Sequence, residues 1–432
     1  MQMKVNDNLF DLIGIGIGPF NLSLAALLKP LEQKKIKFFD DKKKFNWHPE
    51  LMLDDAPMQT SYLKDLVTPV QPTNPLTYIN YLVEKGQFYH FLNTGRDVIT
   101  RYEFNDYLRW CTHNLSDVLN FDSKIKEIRF EKSKFKIIKE NETFFSKNIC
   151  VASGPKPFVP DCAKKKIGND VFHAKSKVLQ NLSLTGKKVL VVGGGQTGLE
   201  VFRNILHEKW GRSEHATLIT GRKNFLPLDE APFTNEIFTP KFVSQFYHLD
   251  QNTKDDFTEN LLLASDGNTP SYLAEFYNEL YLDKFYKKQF SPYRISPMRW
   301  LEDIEDRQNS QCAIIRNKLN QQIEELQVDI IILATGFTSA LPSYLEPLRS
   351  LISFDGQGRL NICHDYKLKT SLEKNHIYMM NYSRHGHGVA DPQTSLMSWR
   401  SAVIANDLCG KEIFKNVNNK SSFLDYFNEE NL

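Results

Sequence analysis

The sequence predicts an α/β protein made of two Rossmann-like dinucleotide-binding domains with a smaller, mostly helical insertion, and three segments carry that prediction. In the first, Leu12-Ile13-Gly14-Ile15-Gly16-Ile17-Gly18-Pro19-Phe20-Asn21-Leu22, a short apolar run meets clustered glycines and passes into the helix-like Ser23–Leu28. The second, Lys188-Val189-Leu190-Val191-Val192-Gly193-Gly194-Gly195-Gln196-Thr197-Gly198, repeats that grammar 179 residues later and continues into a helix over Val201–His207. The third, Val328–Phe337, reads as a buried strand that ends on Ala334-Thr335-Gly336.

In a strand-turn-helix unit the first glycine permits the tight turn and the second lets backbone N–H groups approach a pyrophosphate. The helix start adds about half a positive charge. Gly14 and Gly16 fill these roles and Gly18 relieves the turn, while Pro19 replaces the usual third glycine and suits a first helical position. The next strand, Ile36–Asp40, ends in Asp40, 22 residues after Gly18. That is close to the roughly 20 expected of a carboxylate that bonds a ribose hydroxyl. The competing reading is a tight structural turn.

The second unit, Gly193-x-Gly195-x-x-Gly198 with Gln196 inside it, has the full spacing. Its next strand, Ala216–Thr220, ends in Gly221-Arg222-Lys223 rather than in an acid. A cation at Arg222 accepts a 2′-phosphate and favours NADPH over NADH by about one to two decades; the alternative is a solvated surface arginine. Two such sites in one chain imply a flavin and a nicotinamide that exchange a hydride, chemistry side chains cannot do unaided.

These units divide the chain into a discontinuous flavin domain (1–165 and 345–432) and a nicotinamide domain (166–344), which contains a helical pocket-building insertion at 226–290 with a helix over Tyr272–Tyr286. Near the end, Leu396, Trp399, Val403 and Ile404 place one apolar face on a helix over Ser395–Leu408, which packs back on the first domain.

Composition narrows the class. The 432 residues are 41% hydrophobic and 25% charged, which suits two or three globular domains and excludes disorder and fibres. With 54 Lys plus Arg against 52 Asp plus Glu, nothing calls for nucleic acid. No run approaches the roughly 18 apolar residues of a membrane span, and the start lacks a signal peptide, so a cytoplasmic protein is expected. Six scattered cysteines, no two closer than 12 residues, form no metal pair and no redox C-x-x-C, and are expected to be reduced and mostly buried. His385 and His387 find no completing ligand set, so no metal is expected.

The residues resemble the flavin-dependent N-hydroxylating monooxygenases of siderophore biosynthesis, and most closely their lysine N6-hydroxylase branch. The matching stretches are Gly14-x-Gly16-x-Gly18-Pro19-Phe20-Asn21-Leu22-Ser23, Phe45-Asn46-Trp47-His48-Pro49, Met58-Gln59-Thr60-Ser61-Tyr62-Leu63-Lys64-Asp65-Leu66-Val67, Pro72-Thr73-Asn74-Pro75, Gly193-Gly194-Gly195-Gln196, Asp229-Glu230-Ala231-Pro232-Phe233, Asn235-Glu236-Ile237-Phe238, Ala334-Thr335-Gly336-Phe337 and His387-Gly388-x-x-Asp391-Pro392. They span nearly the whole chain.

The resemblance implies that NADPH reduces FAD, that O2 adds to give a C4a-hydroperoxyflavin, and that an unprotonated primary amine attacks its distal oxygen. It implies Lys64 as the partner of a substrate carboxylate and Asn235 as a pocket residue. Gln59 would flank the flavin, Trp47 and His48 would lie on the loop beside it, and Ser395 and Leu396 would start the helix near it. L-Lysine, L-ornithine, cadaverine, putrescine and histamine all remain open as substrates. A homo-oligomer, dimer or tetramer, is implied as well.

A free alkylammonium titrates near roughly 10.4, so an apolar pocket that lowers this value is expected, with no dedicated acid or base. Read without the family, Lys64 pairs with Asp65 or Asp54, Asn235 caps a helix, and Trp47 and His48 pack a core. The competing functional class is an NADPH oxidase or reductase that passes electrons to a quinone or protein partner.

Overall fold

The computed structural model describes residues 4–53, 56–308, 310–418 and 421–426. Asp54, one alternative partner of Lys64, and residues 427–432 of the expected flavin domain lie outside them.

The first sheet is built on Lys4–Ile15, which pairs in parallel with Ile36–Phe39 on one side and Glu142–Val151 on the other. Leu119–Asn120 extends one flank, and the antiparallel strands Lys134–Ile138 and Glu127–Glu131 extend the other. Ile377–Met379, far along the chain, returns to pair with Glu142–Val151. A helix over Pro19–Leu28 follows the first strand, and every one of its residues is buried. It is apolar nearly all round, as a helix inside a core must be. It shares that core with the C-terminal helix Met397–Cys409.

The second sheet is wholly parallel, in the order Val171–His173, Ile330–Leu333, Lys188–Val192, His215–Thr220, Tyr293–Pro297. Its central strands are continuous Val, Leu and Ile runs, the pattern of a sheet covered on both faces. The helices Pro232–Asn235, Pro240–Tyr247, Gln251–Asn260, Leu263–Asp266 and Pro270–Leu282 occupy the insertion. Two Rossmann-like units with a mostly helical insertion are the predicted fold. Among the described residues no helix is long and apolar enough to cross a membrane.

Three local expectations change, and one sheet was not expected. The nucleotide-unit helices begin at Pro19 and Gln196 rather than at Ser23 and Val201, because each starts directly after a glycine that serves as its N-cap. The run Val328–Phe337 touches three strands: Ile323–Val328 ends an antiparallel sheet, Ile330–Leu333 joins the parallel one, and Phe337 opens Phe337–Thr338. Between the first two the Asp329 carboxylate accepts the Lys188 N–H at 2.8 Å. The helix expected over Tyr272–Tyr286 runs from Pro270 to Leu282 and then widens into a single turn over Asp283–Lys287. That antiparallel sheet, Arg299–Arg307 with Ser310–Asn317 and Ile323–Val328, had no counterpart in the sequence reading. All six cysteines are unbridged, with Cys111, Cys150 and Cys312 buried and the other three half-buried.

Candidate active site

The first glycine turn splits into residues the protein demands and one it does not. A Cβ on Gly14 would come within 2.1 Å of the Phe38 ring, and Gly16, at φ +89°, would set one 2.6 Å from the Ala152 carbonyl oxygen. Around Gly18 nothing lies within 4 Å. It caps the Pro19 helix with extended backbone and no side-chain bond, so open space stands before the helix N-terminus, where an anion is favoured.

The second turn repeats this division. Gly193 presses on the Ala334 carbonyl and Gly198 on that of Gly193, while Gly195, the N-cap of the helix Gln196–Leu206, faces open space.

Asp40 closes the first turn. Its buried carboxylate accepts the N–H groups of Ile17 at 2.7 Å and Lys42 at 2.9 Å. Burial raises its pKa against the opposing Lys42 charge. A carboxylate offers about four acceptor positions, so lone pairs remain for a ribose. Asn21, passed over in the sequence reading, supports the turn from below: its Nδ2 donates to the Gly16 carbonyl at 2.8 Å and the Ile15 carbonyl at 3.2 Å.

Trp47 donates its backbone N–H to Asn105 and sets its ring edge-on to Phe104 at 5.1 Å and to His48 at 4.9 Å. His48 is in the left-handed region at φ +46°. Burial, reinforced by Lys175, Arg101 and Lys42, pushes its pKa down to about 3, so the ring is neutral. Strained non-glycine residues of this kind gather at ligand sites. Ser395 and Leu396 are buried in a tight turn that leads into Met397–Cys409. His385 and His387 are held by backbone and hydroxyl oxygens, His385 by Leu360 and His387 by Ser383 and His364.

The two units meet at several places, one of them a short segment. Gln59 Nε2 approaches the Gly267 carbonyl at 3.4 Å and Thr269 Oγ1 at 3.5 Å, while Gln196 Oε1 accepts the Thr269 N–H at 2.9 Å. Between them Asn268, wholly buried and missed in the sequence reading, donates to the carbonyls of Gly194 and Leu226, both at 3.1 Å. Its only sequence signal was a Gly-Asn-Thr break before a Pro-started helix.

The Asp65 pairing of Lys64 is not made. The Asp65 carboxylate is filled by the N–H groups of Val67, Thr68 and Tyr78 and the Thr68 hydroxyl. Lys64 makes no ion pair among the described residues. It lines a niche with Met58, Thr60, Tyr62, Tyr78 and Phe104, where burial lowers its pKa and Asp97 partly offsets the effect. Asn235 is exposed and bonds the Glu230 carbonyl at 3.1 Å, so it makes no side-chain cap to the turn it precedes. Arg222 is no loose surface arginine: its NH1 donates to the Asp266 carbonyl at 2.9 Å.

Buried polar atoms are normally paired, yet Asn21 Oδ1, His48 Nδ1, Asn268 Oδ1 and Ser395 Oγ make no hydrogen bond among the described residues. Each belongs to a segment next to a glycine turn or to a residue expected at the flavin. Open space before two helix starts, with an unpaired buried amide oxygen at each turn, Asn21 at the first and Asn268 at the second, fits two bound dinucleotides.

Residues 8–339 match the family model described as L-lysine 6-monooxygenase/L-ornithine 5-monooxygenase. The chain is 38% identical over 407 residues to an L-lysine N6-monooxygenase of Escherichia coli, covering 94% of this chain and 95% of that one. It is 28% identical over 418 residues to a putrescine N-hydroxylase of Acinetobacter baumannii, covering 95% and 92%. Its fold matches that of an FAD-bound cadaverine monooxygenase of the desferrioxamine pathway from Erwinia amylovora with a TM-score of 0.90 at 22% identity, over 98% of this chain and 99% of that one. The chain therefore belongs to the L-lysine 6-monooxygenase/L-ornithine 5-monooxygenase family and is an N-monooxygenase of that family.

Proposed function

We propose that the enzyme hydroxylates the terminal amine of L-lysine for siderophore assembly, and that Lys64 selects an amino acid over a decarboxylated amine. The observation that carries this is the half-buried Lys64 ammonium, which feels Asp97 only at a distance and makes no ion pair among the described residues although Asp65 is its chain neighbour. A substrate carboxylate supplies the missing charge through hydrogen bonds strengthened by ionisation on both sides. The 38% identity to a lysine enzyme favours lysine over ornithine.

FAD, reduced by NADPH, supplies the activated oxygen; the chain supplies place and protonation state. In this reading Gly14, Gly16, Gly18, Pro19 and Asp40 hold FAD, with Trp47, His48, Gln59, Ser395 and Leu396 beside its ring system. Gly193, Gly195, Gln196, Gly198 and Arg222 hold NADPH, and Asn235 orients the substrate. His48 is neutral at working pH and gives no proton to the amine. Apolar and aromatic walls keep water out and favour the unprotonated amine.

The division into a flavin domain (1–165 and 345–432) and a nicotinamide domain (166–344, insertion 226–290), a cytoplasmic location and assembly into a dimer or tetramer belong to the same proposal. Comparing kcat/KM for lysine, ornithine and cadaverine tests the substrate. Lysine should lead by at least tenfold, and a preference for cadaverine would refute the role given to Lys64.

A further inference from the structure

Beside the second glycine turn stands an aromatic surface that none of these roles uses. Trp300 is 56% exposed, yet its ring is flush against Gly221, where a Cβ would come within 2.7 Å of the indole Cε3. A large exposed indole fixed on a glycine of a nucleotide unit is a platform rather than a core residue.

Its neighbours are cations. The Lys318 ammonium lies 5.4 Å from the Trp300 ring centroid. Met298, in the left-handed region at φ +56°, donates its N–H to the Arg222 carbonyl at 3.0 Å and accepts the Lys318 N–H at 2.8 Å. Side chains rarely adopt that conformation, so the tie between Arg222 and Lys318 is firmly imposed. Nearby Arg299 and Arg316 are paired with Glu324 and Glu302. Arg222, Lys223 and Lys318 make no ion pair among the described residues.

Topology gives the platform its address. Gly194 presses on Thr220 Oγ1, Thr220 precedes Gly221, and Gly221 touches Trp300. Tyr293–Pro297 runs parallel to His215–Thr220 with Thr220 opposite Pro297, so Trp300 follows at the same sheet edge. The order glycine turn, Thr220, Gly221, Trp300 matches the order pyrophosphate, ribose, adenine of a dinucleotide laid across the carboxyl ends of the strands.

We propose that Trp300 seats the adenine ring of NADPH and that Lys318 joins Arg222 in holding the 2′-phosphate, so these two residues help set cofactor choice. The inference rests on the assignment of NADPH to the second glycine unit. A purine face stacks on an indole whatever its hydrogen-bonding edge, whereas a phosphate dianion needs cations.

The test titrates NADP+, NAD+ and 2′-AMP into the FAD-loaded full chain by calorimetry, with the parent, Trp300→Leu, Trp300→Phe and Lys318→Met. Trp300→Leu should weaken NADP+ and 2′-AMP by about tenfold, with Trp300→Phe between it and the parent. Lys318→Met should weaken NADP+ and 2′-AMP about tenfold and leave NAD+ unchanged, at parental FAD content. Parental affinity for NADP+ in Trp300→Leu and Lys318→Met would overturn the proposal while leaving the NADPH site in place. Loss of FAD content in step with NADP+ affinity in Trp300→Leu would reduce Trp300 to a cover for Gly221 and also overturn it; Trp300→Phe and Lys318→Met carry the test if that variant does not fold. A parent that binds neither NADP+ nor 2′-AMP removes the NADPH assignment itself.

Discussion

Arg101 and Glu200 form a two-pronged ion pair between the first and second Rossmann-like units, NH1 to Oε2 at 2.8 Å and NH2 to Oε1 at 3.0 Å. Glu200 is wholly buried in the helix Gln196–Leu206, and its Oε1 also accepts Gln196 Nε2 at 2.9 Å. Arg101 begins a helix of the other unit and further bonds the Leu51 carbonyl at 3.1 Å. One carboxylate thus links the second glycine turn to the first unit.

Removing the guanidinium strands that carboxylate without its charge partner. Arg101→Met should lower unfolding free energy by about 3 to 5 kcal/mol, read by urea denaturation. Arg101→Met with Glu200→Gln should recover much of the loss, since no unpaired charge then remains.

The two kinds of glycine in the first turn separate fold from cofactor. Gly18→Ala meets no protein atom within 4 Å, so it should leave the apoprotein melting temperature unchanged while lowering FAD occupancy after reconstitution. Gly16→Ala should lower both, because its φ of +89° and the Ala152 carbonyl resist a side chain. Differential scanning fluorimetry with flavin absorbance distinguishes the two.

Lys64→Met should raise KM for lysine by about 10- to 100-fold, the equivalent of a charge-assisted hydrogen bond of roughly 1.5 to 3 kcal/mol. KM for cadaverine should move little. Steady-state kinetics with both amines checks this, and equal shifts would remove the anchoring role.

His387, wholly buried and stacked on Tyr366 at 4.4 Å, has its pKa pushed down by burial to about 3. The unfolded chain takes up this proton near 6.5 and the folded one does not. Protonation thus favours unfolding, and stability held above pH 6.5 falls as pH drops towards 3, by up to about 1.4 kcal/mol per pH unit from this residue. His48, held down to about 3 in the same way, adds a like contribution, so in urea unfolding at pH 7, 6, 5 and 4 His387→Asn should reduce the slope by up to about 1.4 kcal/mol per pH unit and leave the His48 share in place.

The glycine turns were legible because their demands are local: a strand, a reversal and a helix start lie within a dozen residues, and Pro19 and Gln196 follow directly. Arg222 was legible from its place after a strand, although its bond to Asp266 was not. Contacts that cross the chain leave no such mark. Gln59 and Thr269, 210 residues apart, meet only because the insertion folds back, and Asn268 is a single amide without periodicity. The polar tail gave no hint that Phe423 donates its N–H to Glu236 at 3.2 Å or that Asp425 pairs with Lys241 at 3.0 Å. The Arg299–Val328 sheet was missed because its strands carry no glycine punctuation of the kind that marked the nucleotide units.

The most direct test of the central claim measures hydroxylamine formation beside NADPH and O2 consumption in purified, FAD-reconstituted protein, with lysine, ornithine, cadaverine, putrescine and histamine. The account predicts near-stoichiometric hydroxylamine with lysine and weak or uncoupled turnover with the decarboxylated amines. NADPH consumption that yields only peroxide with every amine would contradict it.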